Sequence, residues 1–281
     1  MNNILSAIRS VIENSSIELE DIQGNISNRA NQMGAAFEDY VKNAFSDCLG
    51  MPKRTVITAR QNAFSYLGNN RNPPDAMLKG GDAIEIKKIE TLGISQIQLN
   101  SSYPKNKLFS NNPKLSKQCR NCEVWDVKDL IYVIGHVDKQ KLHNIFFVYG
   151  DLYCDSPEIY QQIENLIKCS FNALDDVEFA ETNELGRLNK VDHLGISDLR
   201  VRGMWLIKSP FQQFRYLTED IDDYIFKLVA LIPEEKFNSF KNRKEFTDFC
   251  KEKGANISDE NIENPKNPAN FIKSKLITYF Y

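Results

Sequence analysis

The 281 residues carry 35 Lys and Arg against 38 Asp and Glu, for a net charge of -3, and 42% of the side chains are hydrophobic. A chain of this length buries a sizeable core, and its balance of charge excludes a polycationic protein that coats nucleic acid. Six scattered cysteines (Cys48, Cys119, Cys122, Cys154, Cys169 and Cys250) and no apolar run resembling a signal peptide or membrane span point to a reducing cytoplasm and no membrane partner.

In chain order, residues 3–14 read as a helix, followed by a polar stretch to Asn28. A second helix spans about 29–46, with Ala30, Met33, Phe37, Val41 and Ala44 on one face. Strand character follows at Arg54 to Arg60 and Ala63 to Leu67, then turn formers from Asn69 to Pro74. Asp75 to Leu78 and Asp82 to Glu90 read as a hairpin, and the apolar runs Leu130 to Val137 and Ile145 to Tyr149 as buried strands. A helix at about 157–169 and strands at Val177 to Glu181 and Leu199 to Lys208 come next, and the chain from about Phe211 reads as mainly helical. The expected class is α/β (α+β), a mixed sheet flanked by helices. Residues 1–210 would form the main domain and 211–281 a helical C-terminal extension.

The hairpin holds the chemistry. If Lys79, Gly80 and Gly81 form its loop, with a glycine in the left-handed conformation, Leu78 pairs with Asp82 and Asp75 falls opposite Glu85. Carboxylates paired in this way repel unless a cation lies between them. Alternation places Ala83, Glu85, Lys87 and Ile89 on one face and turns Ile84 and Ile86 to the core, so Lys87 shares the carboxylates' cleft. Hard oxygen ligands with room for water and a phosphate suit Mg²⁺, and a lysine beside them suits phosphodiester hydrolysis.

The tripeptide Asp/Glu-x-Lys alone decides nothing, because Asp126-Val127-Lys128 and Glu234-Glu235-Lys236 also fit it. Spacing therefore leaves two readings, a metal centre or a surface hairpin with a salt bridge. Glu38, at the edge of the second helix's apolar stripe and one turn beyond Gly34, is the candidate third metal ligand or else a solvated helix-edge glutamate. Asp82 lies off the Glu85 face and reads as a turn-flanking residue. Cys119 and Cys122 lack the two further ligands that zinc needs, and His136, His143 and His193 lack the partners of a nucleophilic triad.

The runs Ala63 to Leu78, Gly81 to Glu90, Leu99 to Leu108, Phe179 to Arg187 and Leu199 to Trp205 together resemble the NgoPII-type restriction endonucleases, over about residues 29–207. The resemblance implies a type II enzyme of the PD-(D/E)xK fold that depends on Mg²⁺ and acts as a homodimer on palindromic double-stranded DNA. It also implies the target GGCC and a companion methyltransferase that protects host sites. The family's catalytic residues fall on Asp75, Glu85 and Lys87, all intact. A repair or junction-resolving nuclease and a catalytically inactive DNA-binding protein are the alternatives.

For DNA contact, Arg200 and Arg202 alternate on one expected strand and either read neighbouring guanines, clamp phosphates or form a salt-bridged sheet edge. Asn100, Ser101, Ser102, Lys105 and Lys107 follow the catalytic strand and offer donors to phosphates and base edges. They belong to the stretch from Asn100 to Arg120, which has Lys105, Lys107, Lys114, Lys117 and Arg120 and no acid. On charge alone this stretch is either a DNA-facing surface or a solvated lysine-rich loop.

Overall fold

The computed structural model describes residues 2–15, 19, 29–69, 72–100, 103–171, 178–179, 185–201, 203–218 and 224–281. The first helix, α1 (Ile4–Glu13), begins at Asn3, whose side chain accepts from the amides of Leu5 and Ser6 in a capping box. α2 (Arg29–Phe45) follows, and Phe37, Val41 and Ala44 are buried along it with Met33 packed alongside. Of the expected stripe, the side chain of Ala30 lies outside the described residues.

The segment expected as a strand from Arg54 to Arg60 is a helix, α3 (Lys53–Ala63). Its β-branched run Thr55 to Thr58 gave it strand character, but it pairs with no strand and only Ala63 on it is buried. β1 (Phe64–Asn69), β2 (Asn72–Leu78) and β3 (Ala83–Ile89) then form an antiparallel meander. β4 (Gln96–Asn100), β5 (Lys107–Phe109) and α4 (Lys117–Arg120) cross over to β6 (Val127–Asp138), which pairs parallel with β3 and antiparallel with β7 (Lys141–Tyr149).

α5 (Pro157–Phe171) leads to β8 (Glu178–Phe179), β9 (Gly186–Asn189) and β10 (Leu199–Val201), a small sheet of their own. The expected single strand from Leu199 to Lys208 is two: β10 joins β9, and β11 (Met204–Lys208) pairs with β4. The chain changes partner around Gly203, leaving β9 for β4.

Beyond α6 (Pro210–Gln213) the chain is not mainly helical as expected. β12 (Lys227–Pro233), α7 (Glu234–Ser239), α8 (Arg243–Lys253), β13 (Asn256–Asn264) and β14 (Asn267–Phe280) make up this part. β12 inserts between β7, to which it is parallel, and β14, to which it is antiparallel. Leu228 to Ile232 are buried on both faces of the strand, and a short apolar run of that kind has no period to separate strand from helix. The main sheet thus runs β1-β2-β3-β6-β7-β12-β14-β13, with β5 joined to β6.

Apolar clusters cover both faces of this sheet. Ile84 and Ile86 pack with α1, α2 and α8 on one side, and Ala83 and Ile89 with Ile97, Leu99, Tyr132 and Phe214 on the other. This matches the alternation expected of the catalytic strand. The β2–β3 hairpin is held from the C-terminal part as well: Lys236 on α7 bridges Asp82 and Asp129, each at 2.6 Å, and Tyr149 donates to Asp82 at 2.7 Å. Asp82, expected only to flank the turn, is a buried anchor. No helix among the described residues is long and apolar enough to cross a membrane.

Candidate active site

The hairpin keeps the expected register. Met77 pairs with Ala83 and Ala76 with Ile84, the Leu78 amide donates to the Asp82 carbonyl at 2.9 Å, and Gly80 takes the left-handed turn at φ +58°. The ladder stops one step short of Asp75 and Glu85. There the Asp75 carboxylate replaces a main-chain acceptor, and the Ile86 amide donates to its Oδ2 at 2.6 Å. Gly68 on β1 lets the strands close at this point, because a Cβ on it would meet the Pro74 carbonyl and would lie 2.9 Å from the Asp75 Cα.

Lys87 Nζ lies 2.6 Å from Glu85 Oε1 and 4.0 Å from Asp75 Oδ2. The side chains of Asp75, Glu85 and Lys87 retain 20%, 16% and 26% exposure, enough to meet water and a phosphate from one side. Burial and then the charge of Glu85 push the Asp75 carboxyl up to about 7, against the opposing pull of Lys87, and Glu38 adds to the rise. Burial disfavours the Lys87 ammonium, but Glu85 and Asp75 outweigh it and raise its pKa. Two facing carboxylates, one of which cannot readily stay ionised, make a donor set that a divalent cation fits.

Glu38 reaches this site through its field, acting on both Asp75 and Lys87, but its carboxylate is paired with Lys42 one turn along α2. Among the described residues no three His, Cys, Asp or Glu side chains converge as a ligand set. Glu38 as a third ligand would have to exchange Lys42 for the metal. A Cβ on Gly34 would meet nothing within 4 Å, so packing does not demand glycine there.

The expected DNA contacts fare unevenly. Arg200 is exposed on β10, opposite Arg187 of β9. Arg202, Ser101, Ser102 and the side chain of Asn100 lie outside the described residues, so a shared face for the two arginines rests on the sequence alone. Lys105 is 4% exposed, and Lys107 is held by Asp129 at 2.6 Å and Asp151 at 3.1 Å. Lys114 is likewise paired, with Glu164. The acids absent from this segment come from β6, the turn after β7 and α5, which local charge counting cannot see.

One neighbour of the site escaped the sequence reading. Tyr132 pairs across the parallel β3–β6 ladder with Glu85, a placement visible only once the strand order is known.

The chain matches the NgoPII restriction endonuclease family over residues 2–263. It is 45% identical over 278 residues to the type II restriction enzyme NgoPII of Neisseria gonorrhoeae, covering 99% of each chain. No solved structure matches it. That coverage takes in the C-terminal part as well as the hairpin, and the chain belongs to the NgoPII restriction endonuclease family.

Proposed function

We propose that the protein is a type II restriction endonuclease that hydrolyses both strands of a short palindromic DNA site with Mg²⁺. The observation that carries this reading is the convergence of Asp75, Glu85 and Lys87 in one partly exposed cluster of a chain from this family. Asp75 and Glu85 would hold the metal, with Glu38 as a third, outer ligand released from Lys42. The bound ion would polarise a phosphoryl oxygen and lower the pKa of a coordinated water. Lys87, on the same face, donates hydrogen bonds toward the attacking water or the charge that builds on the phosphate.

Arg200, Arg202 and the segment Asn100, Ser101 and Ser102 are the DNA-facing candidates, and the site we assign on resemblance is GGCC. Two guanines per half-site suit bidentate arginine contacts to O6 and N7. A palindromic site is met symmetrically by a homodimer, and a methyltransferase acting on the same site would protect host DNA without stable binding to this chain. The test is incubation of unmethylated plasmid with Mg²⁺ and mapping of the cut ends. Discrete fragments, lost with Lys87→Ala and on substrate methylated at GGCC, support the reading. A smear, or cutting that survives Asp75→Ala, overturns it.

A further inference from the structure

α3 is a helix that the rest of the chain scarcely covers. Of its 11 residues only Ala63 is buried, while Val56, Ala59 and Arg60 are half-buried along the side toward the protein. The opposite side, at helical spacing, carries Lys53, Ile57 and Gln61 in one row and Arg54, Thr58 and Asn62 in the next, all exposed. Thr55 to Thr58 are four consecutive β-branched residues, which favour a helix only weakly. A surface helix of poor propensity usually relies on a broad apolar face or on acid–base pairs one turn apart. α3 has neither. No Asp or Glu occurs from Cys48 to Pro74, and among the described residues neither Lys53 nor Arg54 meets a carboxylate.

What fixes α3 is its last turn, and the anchors are the elements that bear the candidate centre. The ammonium of Lys79, in the loop of the β2–β3 hairpin, donates to the Gln61 carbonyl at 2.7 Å, and the Lys79 amide donates to the Ala63 carbonyl at 3.0 Å. Arg60 grips α2 beside Glu38: it pairs with the Asp39 carboxylate at 2.8 Å and donates to the Asp39 carbonyl at 3.0 Å and to Asn43 Oδ1 at 2.8 Å. From Ala63 the chain enters β1, which runs along β2 to Gly68, beside Asp75. The outward face of α3 therefore holds a set position relative to Asp75 and Glu38. It presents hydroxyls, amides and two cations without one acceptor-only side chain.

Resting on the nuclease reading above, we propose that this face of α3 seats the phosphate backbone of the DNA duplex on which the hairpin acts, with Lys53 and Arg54 as its charged contacts. Ammonium, guanidinium, hydroxyl and amide groups are the donors that phosphate oxygens accept from. A second copy of the chain is the poorer occupant, because a two-fold contact of this face with itself brings cations together with no acid to meet them. Arg60, paired with Asp39, is the tether of the helix and not a contact.

The test measures the Kd of the full chain, without metal, for a duplex carrying the mapped site and for one of unrelated sequence, each over a range of salt. Lys53→Ala/Arg54→Ala removes both cations at exposed positions where alanine favours the helix. It is expected to weaken both duplexes about ten-fold at about 0.1 M salt and to reduce the slope of log Kd against log salt by about two. Lys244→Ala/Lys251→Ala, which takes the same charge from exposed positions on α8, should change neither. Unchanged affinity and slope in the α3 variant overturn the proposal. So does an equal loss in the α8 variant, which would make the effect one of net charge, and so does a loss confined to the mapped site, which would make α3 a reader of bases. A change in sedimentation that accompanies the loss assigns the face to a second copy and overturns it too. Failure of the nuclease reading appears separately, as a wild type that binds DNA and does not cut it with Mg²⁺, and the unrelated duplex still tests α3 in that case.

Discussion

The hairpin proposed to carry the chemistry and the strand β10 proposed to read DNA are built on opposite plans. β2 and β3 lie within the main sheet, covered on both faces, tied to α7 through Lys236 and closed against β1 at Gly68. β10 belongs to a separate three-stranded sheet, and its Leu199 and Arg200 are exposed. Chemistry needs its groups fixed to a fraction of an ångström, so they stand on strands whose register the whole core enforces. Reading a base edge needs a side chain that projects away from the body, and the exposed Arg200 on the thin β10 sheet meets that need. The contrast teaches that the two halves should fail differently when mutated: the hairpin in rate, β10 in selectivity.

The largest effect that could break this contrast is Lys87→Ala. We expect a loss of about 10³-fold or more in single-turnover rate, roughly 4 kcal/mol of transition-state stabilisation, with duplex affinity nearly intact. A loss of affinity of the same size would mean that the hairpin also binds. Next, Arg200→Ala should weaken the cognate duplex by about 1–3 kcal/mol while affinity for a mismatched duplex changes little. Competition binding with the two duplexes measures this, and equal weakening of both would make Arg200 a phosphate contact.

Gly68→Ala sharpens the comparison from the structural side. Its methyl group must push β1 from β2 beside Asp75, at a cost of about 1–3 kcal/mol by thermal melting, with a fall in cleavage rate. A Gly254→Ala control, where a Cβ meets nothing within 4 Å but φ is +75°, should cost stability without comparable loss of rate.

The smallest effect is a drift of stability with pH in metal-free protein. Because the folded state raises the Asp75 carboxyl from its ordinary value to about 7, the native chain binds more protons than the unfolded one between about pH 4 and 7. The stability this provides is present at low pH and is lost as pH rises through that window. Asp75→Asn should flatten this part of the melting profile, and metal binding to the wild type should release protons below pH 7, read by calorimetry in two buffers.

The hairpin was legible because everything that places Asp75, Glu85 and Lys87 on one face is local: a three-residue loop, strand alternation and a count along two short strands. What was misread is what depends on distant partners. Thr55 to Thr58 look like a strand until no strand is there to pair with them. Lys107 and Lys114 left a DNA-facing surface and a solvated loop both open, because their partners Asp129, Asp151 and Glu164 come from other elements. The apolar run Lys227–Pro233 has no period of its own, and only its neighbours β7 and β14 make it a strand.

The insertion of β12 between β7 and β14 also sets an order of events during synthesis. Strands that emerge early, β1 to β7, hold every member of the catalytic hairpin, yet Lys236, which anchors Asp82, and the strand that covers the β7 edge are made more than seventy residues after β7 ends. A nascent chain lacking them has an unpaired, strongly apolar sheet edge and a hairpin missing one of its supports. The proposed centre therefore lacks one of its supports until α7 and β12 have been made.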